Sequence, residues 1–374
     1  MLIKKLFILI LLISFFRFPV DSLQEDQISA GAAVVVESET NNVIFQKNMS
    51  EKLSMASTTK IMTSILAIES GKLNCTVTAK NDVVCDGTSI GIKKGDSFTL
   101  ETLVWAMLLE SGNDASVLVA EYLAGSEEGF SDLMNDKASE IGMNNTNFVT
   151  ASGLDDDEHY TTAYDMALLA SYAIKNPVFR KICSSERYVA SYVSPNISET
   201  YVNHNKLLKM YDGVFGVKTG FTKKSGRCLV SACERNGTTL VAVTLKAPDD
   251  WNDHVKLYDY CFGLSKKIHV NVELPCKIKV YGSDVERINI SMCDVSELFL
   301  YSDSVYYTIL LPEFVYAPVK VRDEVGKVIL FVDGEKYKEI SVTASEEALS
   351  VEGKEEPEYT FFYKLTNIFR FMKG

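Results

Sequence analysis

Three short motifs in this sequence contain residue types that can carry out acyl transfer with a serine nucleophile. In chain order they are Ser57-Thr58-Thr59-Lys60, Ser111-Gly112-Asn113 and Lys218-Thr219-Gly220. A serine hydroxyl is a weak nucleophile and needs a base within hydrogen-bond reach. A lysine amine can be that base when burial or a neighbouring cation disfavours its charged form. The ordered set of hydroxyls and amines therefore predicts a serine acyl-transfer site.

Two of the three motifs occur twice, so the surrounding sequence must select between the copies. Ser194-Pro195-Asn196 also fits the middle pattern, but it lies in a polar stretch without a flanking helix, which is typical of a surface loop. Lys224-Ser225-Gly226 also fits the last pattern, but it lies in the turn between two predicted strands. We therefore select Ser111, Asn113 and Lys218, and we interpret Lys224 as solvated.

The first motif is predicted to lie in the first turns of a helix. Ser54 is suited to cap this helix and Gly71 to end it, and between them isoleucines recur at i, i+4 and i+7. Helical residues three apart lie on one face, so the Ser57 hydroxyl and the Lys60 amine are expected to meet.

The second motif is predicted to form a tight turn between two helices. Residues 100–109 are strongly apolar, and another helix is expected to begin near Asp114. Because a turn between two buried helices can project two polar side chains inward, we expect Ser111 and Asn113 to point into one cleft.

The third motif closes an extended segment at 214–217, so Lys218 is predicted to end a strand that faces the helices. Segments 228–233 and 238–245 flank Asn236-Gly237, which is a strong hairpin signal. Residues 30–36 and 43–46 predict a first hairpin around Asn41-Asn42.

Length and patterning predict two domains. The chain has 374 residues, of which 47% are hydrophobic and 24% are charged, as in an ordinary globular protein. From Lys266 onward, alternating apolar residues and an Asp333-Gly334 turn predict a small all-β domain. We expect a catalytic domain at 23–264 and a β-rich domain at 265–345.

The N-terminus has the pattern of an exported protein. Lys4 and Lys5 precede an apolar run at 6–16, which predicts a secretory signal peptide over residues 1–22. This run is shorter than the roughly 20 apolar residues that span a bilayer.

The C-terminus has the pattern of a membrane-surface anchor. An acidic linker at 346–358 precedes residues 359–374, whose apolar side chains fall on one helical face beside Lys364, Arg370 and Lys373. A basic amphipathic helix of this kind predicts attachment to a membrane surface. Docking of the helix on the protein's own domain is the alternative.

The charge and the cysteine pattern argue against nucleic-acid binding and against a metal site. The formal net charge is −12, from 38 basic and 50 acidic residues, so nucleic acid is not expected as a partner. The eight cysteines contain no C-x-x-C pair and no histidine at a zinc-ligand spacing, so we predict no metal site. Disulfides and buried free thiols both remain open.

His159 follows four acidic residues and is interpreted as part of a solvated loop before a helix at 163–174.

With these residues placed, the sequence resembles low-molecular-mass penicillin-binding proteins, the serine-type D-alanyl-D-alanine carboxypeptidases. Segments 54–60 and 218–227 are closer to the family than the bare motifs require. The resemblance covers nearly the whole chain. It implies an α/β (α+β) β-lactamase/transpeptidase-like catalytic domain with an antiparallel sheet and a helical subdomain, followed by a small all-β domain.

The resemblance also implies the activity and its setting. The enzyme would remove the terminal D-alanine from peptidoglycan stem peptides that end in D-Ala-D-Ala, would need no cofactor, and would bind β-lactam antibiotics. Its expected location is the outer face of the bacterial cytoplasmic membrane or the cell wall.

The roles of the first two motifs follow from the resemblance. Ser57 would attack the carbonyl of the penultimate D-alanine, with Lys60 as its base. Ser111 would pass the proton to the leaving amine, and Asn113 would hold the substrate amide. The backbone amides of Ser57 and Phe221 would form the oxyanion hole.

The third motif is expected to bind the substrate. Lys218 would supply a fixed positive charge, Thr219 would bind the terminal carboxylate, and Gly220 would let the strand approach the substrate closely. Some relatives have His where this chain has Phe221, and some have Arg after the hairpin, where this chain has Lys246-Ala247-Pro248. How the substrate carboxylate is neutralised therefore stays open.

Three alternatives accompany this interpretation. A class A β-lactamase adds a glutamate that activates the deacylating water, and no equivalent is found between Asn144 and Lys218. A peptidoglycan endopeptidase would use the same site. A non-catalytic protein that binds cell-wall peptides or β-lactams would tolerate loss of Lys60 or Ser111, whereas both are present.

Overall fold

The computed structural model describes residues 23–293, 297–301 and 304–351. The predicted signal peptide, the predicted amphipathic helix and the linker beyond residue 351 lie outside this part of the chain. Within the described residues, no helix has both the length and the apolar composition that crossing a membrane requires.

The first part of the chain alternates between strands and helices. Its strands are β1 (Ala32–Glu37), β2 (Val43–Lys47), β3 (Thr76–Thr78), β4 (Ser97–Thr99), β5 (Arg187–Ser191), β6 (Ser198–Val202), β7 (Val214–Thr222), β8 (Gly226–Arg235) and β9 (Thr238–Leu245). Its helices are α1 (Lys60–Glu69), α2 (Leu100–Trp105), α3 (Asn113–Ala124), α4 (Glu127–Ile141), α5 (Ala163–Ile174), α6 (Pro177–Ser184), α7 (Leu207–Met210) and α8 (Asp250–Leu264).

A five-stranded antiparallel sheet supports this part of the chain. Its order is β2-β1-β9-β8-β7, which leaves β7 at one edge. The predicted hairpins β1–β2 and β8–β9 are both present. Side chains alternate along β8: Cys228 and Val230 belong to the core shared with the helical subdomain, whereas Leu229 belongs to the core under α8. The sheet is therefore covered on both faces, and its β7 edge is left beside the helical subdomain.

Four of the described helices begin at residues whose side chains cap them. Thr99, Ser126, Thr162 and Asn176 each accept a hydrogen bond from a backbone N–H in the first turn of α2, α4, α5 and α6, respectively. The helix predicted at 163–174 corresponds to α5. The short polar caps explain why these boundaries are readable from the sequence.

The helix start at the first motif differs from the prediction. Ser54 is not the cap, because α1 begins only at Lys60 and a 3₁₀ turn, Ala56–Thr59, precedes it. The hydroxyls of Thr58 and Thr59 donate to the carbonyls three residues earlier, Met55 O at 2.6 Å and Ala56 O at 2.8 Å. These bonds stabilise the tighter turn in place of a first α-helical turn.

The strand at the third motif is also longer than predicted. Lys218 does not end β7, which continues to Thr222 because its last four residues pair with residues 226–229 of β8. Lys218 and Thr219 thus lie within a paired strand and point to opposite faces of the sheet.

The remaining described residues form β structure. The strands are β10 (Lys266–His269), β11 (Lys277–Tyr281), β12 (Arg287–Met292), β13 (Glu297–Leu300), β14 (Val305–Leu310), β15 (Phe314–Tyr316), β16 (Glu324–Val332) and β17 (Glu335–Ala344). Six of them form a sheet of order β14-β16-β17-β12-β11-β15 around a separate apolar core that includes Ile288, Val328 and Val342. Tyr337 of β17 is buried and hydrogen-bonds Thr238 of β9, which joins the two parts.

All eight cysteines lie within the described residues, and none of them forms a disulfide. Four are buried: Cys183, Cys228, Cys233 and Cys261. Of the two alternatives left open by the sequence, the structure shows free thiols.

Candidate active site

The serine and lysine of the first motif are in direct contact. Ser57 lies in the 3₁₀ turn, Lys60 is the first residue of α1, and Lys60 Nζ lies 2.9 Å from Ser57 Oγ. Side chains three residues apart eclipse one another in a 3₁₀ turn, which explains the contact. The predicted pairing is present, although a different helical geometry produces it.

Three oxygen atoms surround the Lys60 amine. Besides Ser57 Oγ they are Asn113 Oδ1 at 2.7 Å and Ser152 O at 2.6 Å. The carbonyl of Ser152 can only accept, and Asn113 must present its oxygen because its Nδ2 donates to Asp86 O at 2.6 Å. A neutral Lys60 therefore directs both hydrogens at these two acceptors and its lone pair at the Ser57 hydroxyl.

The surroundings of Lys60 favour this neutral form. The side chain is fully buried, and burial lowers its pKa well below that of an ordinary lysine. The positive charge of Lys218 lowers the pKa further. A base poised in this way can accept the Ser57 proton near neutral pH.

The second motif lies where two helices meet. Helix α2 continues as a π-helical segment, Ala106–Glu110, and Ser111 then adopts a left-handed conformation with φ of 63°. That conformation is uncommon for a residue other than glycine and is frequently found at functional sites. It places Ser111 on the cleft, and α3 begins two residues later at Asn113.

The loop formed by residues 86–92 holds Asn113 and the start of α3 in place. Asn113 N donates to Thr88 O at 2.8 Å, and its amide side chain reaches Asp86 O. The buried Asp114 carboxylate ties the same loop to α3 through four donors: Ser89 Oγ, Ile90 N, Gly91 N and Ile92 N. Both functional groups of the Asn113 amide are thus engaged within the protein, with Lys60 as one partner.

The third motif supplies a buried lysine behind the strand edge. Lys218 is 1% exposed, and its Nζ donates to Thr219 O at 3.0 Å. Burial lowers the pKa of Lys218 to about 7. The charge expected to be fixed is therefore titratable, and both protonation states exist near neutral pH.

Gly220 allows β7 to pack against the turn that carries Ser57. A Cβ atom at this position would lie 3.1 Å from three atoms, Ala56 Cβ, Met55 O and Ser57 N. The structure therefore gives Gly220 a role that the sequence analysis missed, since the close approach is to the nucleophile's own backbone. The next residue, Phe221, is 65% exposed at the rim of the cleft.

Behind the nucleophile, His159 supports the 3₁₀ turn. Its Nδ1 accepts from Val149 N at 2.9 Å, so its Nε2 bears the hydrogen and donates to Thr59 Oγ1 at 2.8 Å. Burial lowers the pKa of His159 to about 4, and the side chain is 3% exposed. The interpretation of His159 as a solvated loop residue is therefore wrong.

Gly153 lets the loop that contains Ser152 pack closely against the 3₁₀ turn Ala56–Thr59. Its φ is +84°, and a Cβ atom there would lie 1.9 Å from Ala56 O. No larger residue fits at this position. The loop therefore contacts Ala56, the residue before the nucleophile, and it also supplies Ser152 O to Lys60. The base and the nucleophile are positioned by one loop.

A cleft of about 310 Å³ opens beside Ser57. Predicted residues line it: Ser57, Ser111, Thr219, Gly220 and Phe221. Six further residues that the sequence analysis did not select also line it: Thr88, His204, Lys206, Arg227, Asp250 and Trp251. The only sequence signal for this second group is that Arg227 ends the segment 218–227, which resembles the family closely.

The duplicate motifs lie elsewhere. Ser194-Pro195-Asn196 is exposed between β5 and β6, which confirms the surface-loop prediction. Lys224 lies in the β7–β8 turn, about half exposed, and forms an ion pair with Asp157. Within the described ranges, no three His, Cys, Asp or Glu side chains are grouped so that they can hold a metal ion.

A lysine in place of the usual histidine base, next to a serine on a turn that faces a sheet edge, defines a class of acyl-transferring serine enzymes. The pattern of the peptidase S11 family, D-alanyl-D-alanine carboxypeptidase, matches residues 20–249. The D-alanyl-D-alanine carboxypeptidase DacF of Bacillus subtilis is 32% identical over 335 residues, which cover 85% of each chain.

Solved structures agree with this match. The D-alanyl-D-alanine carboxypeptidase DacD from Francisella tularensis superposes with a TM-score of 0.58 at 27% identity, over 87% of this chain and 94% of that chain. Penicillin-binding protein D2 from Listeria monocytogenes, in its ampicillin-bound form, superposes with a TM-score of 0.57 at 28% identity, over 63% of this chain and 98% of that chain.

The chain therefore belongs to the D-alanyl-D-alanine carboxypeptidase family of serine peptidases. The predicted fold class and the predicted activity, a serine-type D-Ala-D-Ala carboxypeptidase, are confirmed. The β-lactamase, endopeptidase and non-catalytic alternatives gain no support from these relatives.

Proposed function

We propose that this carboxypeptidase removes the terminal D-alanine through an acyl-enzyme on Ser57, with Lys60 as the base. The observation that carries the proposal is the 2.9 Å contact between Lys60 Nζ and Ser57 Oγ, made by an amine whose pKa is lowered by burial. Asn113 Oδ1 and Ser152 O fix the amine so that its lone pair faces the hydroxyl.

In the first step, Ser57 Oγ attacks the carbonyl carbon of the penultimate D-alanine. The hydroxyl proton moves to Lys60 Nζ, and the carbonyl electron pair moves to the oxygen. Backbone N–H groups of Ser57 and Phe221 would hold this oxyanion, and the tight packing of Gly220 on Ser57 N supports their proximity. Preformed donors of this kind typically contribute about 10²- to 10³-fold to the rate.

In the second step, the bond between the carbonyl carbon and the nitrogen of the terminal D-alanine breaks. The electron pair goes to the nitrogen, which takes a proton that Ser111 relays from the Lys60 ammonium. Ser111 suits this relay because its left-handed conformation places it on the cleft. The ammonium form of Lys218 supplies positive charge behind the strand.

In the third step, water attacks the acyl-enzyme and gives its proton to Lys60, which is neutral again after the leaving group departs. Collapse of the intermediate returns the proton to Ser57 Oγ and releases the shortened peptide. The same base thus serves both half-reactions.

The substrate would lie along the free edge of β7. Thr219 would bind the terminal carboxylate through its hydroxyl, and Gly220 and Phe221 would line the path of the main chain. Asn113 keeps one Nδ2 hydrogen beyond the bond to Asp86 O, and this hydrogen is available for the substrate amide.

β-Lactam antibiotics would acylate the same serine. Their strained amide carbonyl would take the place of the penultimate D-alanine carbonyl. The ampicillin-bound relative from Listeria supports this expectation.

For localisation, we propose export by the signal peptide at 1–22 and attachment to the outer face of the cytoplasmic membrane through residues 359–374. We further propose that residues 23–264 form the catalytic domain, residues 265–345 a β-rich domain, and residues 346–358 a linker. The basic residues of the tail support the attachment to a membrane surface.

Labelled penicillin and a peptide ending in D-Ala-D-Ala test the catalytic proposal. The wild-type protein should form a lasting penicillin adduct and release D-alanine, whereas Ser57→Ala should do neither. Ser194→Ala, in the exposed copy of the second motif, is the matched control and should behave as wild type. A labelled Ser57→Ala protein, or rapid destruction of penicillin without an adduct, would refute the proposal.

Vesicles of anionic lipid test the anchor. Removal of residues 359–374 should release the protein from the vesicles without changing peptide hydrolysis. Equal vesicle binding by both proteins would show that the tail does not attach the enzyme to the membrane.

A further inference from the structure

The Ser111 hydroxyl depends on its backbone for its position. Among the described residues, none hydrogen-bonds this hydroxyl, which lines the cleft. The φ of Ser111, 63°, lies in the left-handed region, which is unfavourable for a residue other than glycine. Such a conformation persists only where the surrounding structure holds it. The contacts on either side of Ser111 therefore decide where its hydroxyl lies.

Glu110 makes the contact on the side of the π-helical segment, whereas the loop at 86–92 holds the side of α3. Glu110 is the last residue of that segment, and its carboxylate reaches the end of β6. Its Oε1 accepts a hydrogen bond from Val202 N, and its Oε2 lies 3.6 Å from His204 Nε2. The residue before Ser111 is thus tied to the segment formed by residues 202–206.

The segment 202–206 is itself fixed to two other elements. Asn203 Nδ2 donates to two carbonyls at the end of α6, at 3.1 and 3.0 Å. Asn205 is buried, and its Nδ2 donates to Gly216 O of β7 at 2.8 Å. Asn205 Oδ1 accepts from Leu207 N at 3.1 Å, so both ends of this amide are engaged. The segment cannot shift without breaking bonds to α6 or to β7.

These bonds connect the two walls of the cleft. Glu110 precedes Ser111, and Gly216 lies two residues before Lys218. A path of hydrogen bonds therefore runs from the Ser111 turn through residues 202–206 to the strand that carries Lys218. Proton relay requires the hydroxyl within hydrogen-bond reach of both the proton donor and the leaving nitrogen. A displacement of about 1 Å in such a geometry slows a reaction by up to about 100-fold.

We propose that Glu110 is a positioning residue for the proton relay: through Val202 N it holds Ser111 where its hydroxyl can protonate the leaving nitrogen. This inference rests on the proposed function, because it takes Ser111 as the relay. Glu110 does not line the cleft, so it acts through Ser111 and not on the substrate. Since its hydrogen-bond partner is a backbone N–H, it serves as an acceptor, and its charge is not required.

The test compares two substrates that differ in their need for a proton. One is a peptide ending in D-Ala-D-Ala, whose leaving nitrogen must be protonated. The other is the same peptide with sulfur in place of the nitrogen of the last residue. This thioester releases a thiolate, which is stable enough to leave without a proton. Ser57 and Lys60 serve both substrates alike, so damage to the nucleophile would slow both.

Three variants separate the bond from the residue. Glu110→Ala removes the acceptor, Glu110→Gln keeps an oxygen for Val202 N, and Val202→Pro removes the donor without touching the Ser111 turn. Proline is suited to position 202, because the N–H of Val202 points to Glu110 and not into the β5–β6 ladder. Glu101→Ala is the matched control, since Glu101 bonds Trp105 Nε1 within α2. Thermal melts monitor the folding of each variant.

Single-turnover acylation at saturating substrate is the measurement. We expect Glu110→Ala and Val202→Pro to acylate about 10- to 100-fold more slowly with the amide and within about threefold of wild type with the thioester. Glu110→Gln and Glu101→Ala should stay within about threefold on both substrates. Because Glu110 acts through Ser111, Glu110→Ala/Ser111→Ala should be no slower on the amide than Ser111→Ala alone.

Three results would overturn the inference. Folded Glu110→Ala could acylate with the amide at the wild-type rate, it could be slowed equally on amide and thioester, or Glu110→Gln could be as slow as Glu110→Ala. Failure of the proposed relay is distinct, because Ser111→Ala itself would then show no selective loss on the amide.

Discussion

His159 donates a hydrogen bond from Nε2 to Thr59 Oγ1 over 2.8 Å, although the two residues are a hundred positions apart. Thr59 in turn donates to Ala56 O, so the chain of bonds ends on the residue before the nucleophile. The geometry requires a neutral imidazole, because Nδ1 accepts from Val149 N. A protonated His159 would lose that acceptor.

The first prediction concerns stability at acidic pH. The pKa of His159 is about 4 in the folded protein, below the ordinary value of 6.5, so its contribution to stability is complete above pH 6.5 and is lost as the pH falls towards 4. His159→Gln keeps a donor for Thr59 and does not titrate. The free energy of unfolding of wild type minus that of His159→Gln should therefore fall by up to about 1.4 kcal/mol per pH unit in this window.

Tryptophan fluorescence during urea unfolding at pH 4.5 to 7.5 provides the measurement, because both tryptophans, Trp105 and Trp251, lie in the first part of the chain. His254 is also buried, with a pKa lowered to about 3, but it is present in both proteins and cancels. Parallel profiles for the two proteins would contradict the neutral, buried state of His159.

The second prediction concerns the base. Asn113→Asp would place a carboxylate where Oδ1 now lies, 2.7 Å from Lys60 Nζ. A negative charge there favours the ammonium form, so the pKa of Lys60 rises and less of the base is neutral. Acylation by fluorescent penicillin should fall by about 10- to 100-fold at neutral pH, and the deficit relative to wild type should shrink as the pH rises. Asn144→Asp, at an exposed site, is the control, and a deficit independent of pH would count against Lys60 as the base.

The third prediction concerns Lys218. If its ammonium form is the active one, kcat/KM should decline as the pH rises through about 7, where burial places the pKa of Lys218. Lys218→Arg carries a charge that does not titrate in this range, so the decline should disappear. Single-turnover acylation between pH 5.5 and 9.5 measures both profiles, with Lys224→Arg as the control on the neighbouring turn. A wild-type rate that stays constant up to pH 9 would exclude this role.

The fourth prediction concerns the strand that packs on the nucleophile. Gly220→Ala adds a methyl group 3.1 Å from Ser57 N and Met55 O, which pushes β7 away from the turn. Displacement of one oxyanion donor should reduce the acylation rate by about 10²- to 10³-fold with little loss of stability. Gly263→Ala in α8, where an added methyl group meets no atom within 4 Å, is the matched control. Normal acylation by Gly220→Ala would show that the oxyanion donors do not depend on this packing.

The sequence was sufficient for features that depend on neighbours along the chain. The spacing of Ser57 and Lys60, the turn at Asn236-Gly237 and the capped helix α5 are local, and each was placed within a few residues. The two duplicate motifs were also separated correctly, because a polar stretch without helices and a short turn are themselves local signals.

Features that depend on tertiary packing could not be predicted from the sequence. His159 follows four acidic residues, so its burial is visible only once the loop is folded against Thr59. The π-helical segment before Ser111 is read as ordinary helix from composition alone. Arg227 and Asp250 are each unremarkable charged residues until β8 and α8 bring them together at the mouth of the cleft.

The four buried thiols have a consequence for how the enzyme responds to oxidation. Burial raises the pKa of Cys183 to about 12 and that of Cys228 to about 11, so almost no thiolate is available for exchange at neutral pH. The thiols of the core therefore react slowly with disulfides and oxidants in the surroundings. Oxidative ageing would instead begin at the surface thiols of Cys75, Cys276 and Cys293, as crosslinks between molecules that leave the catalytic cleft untouched.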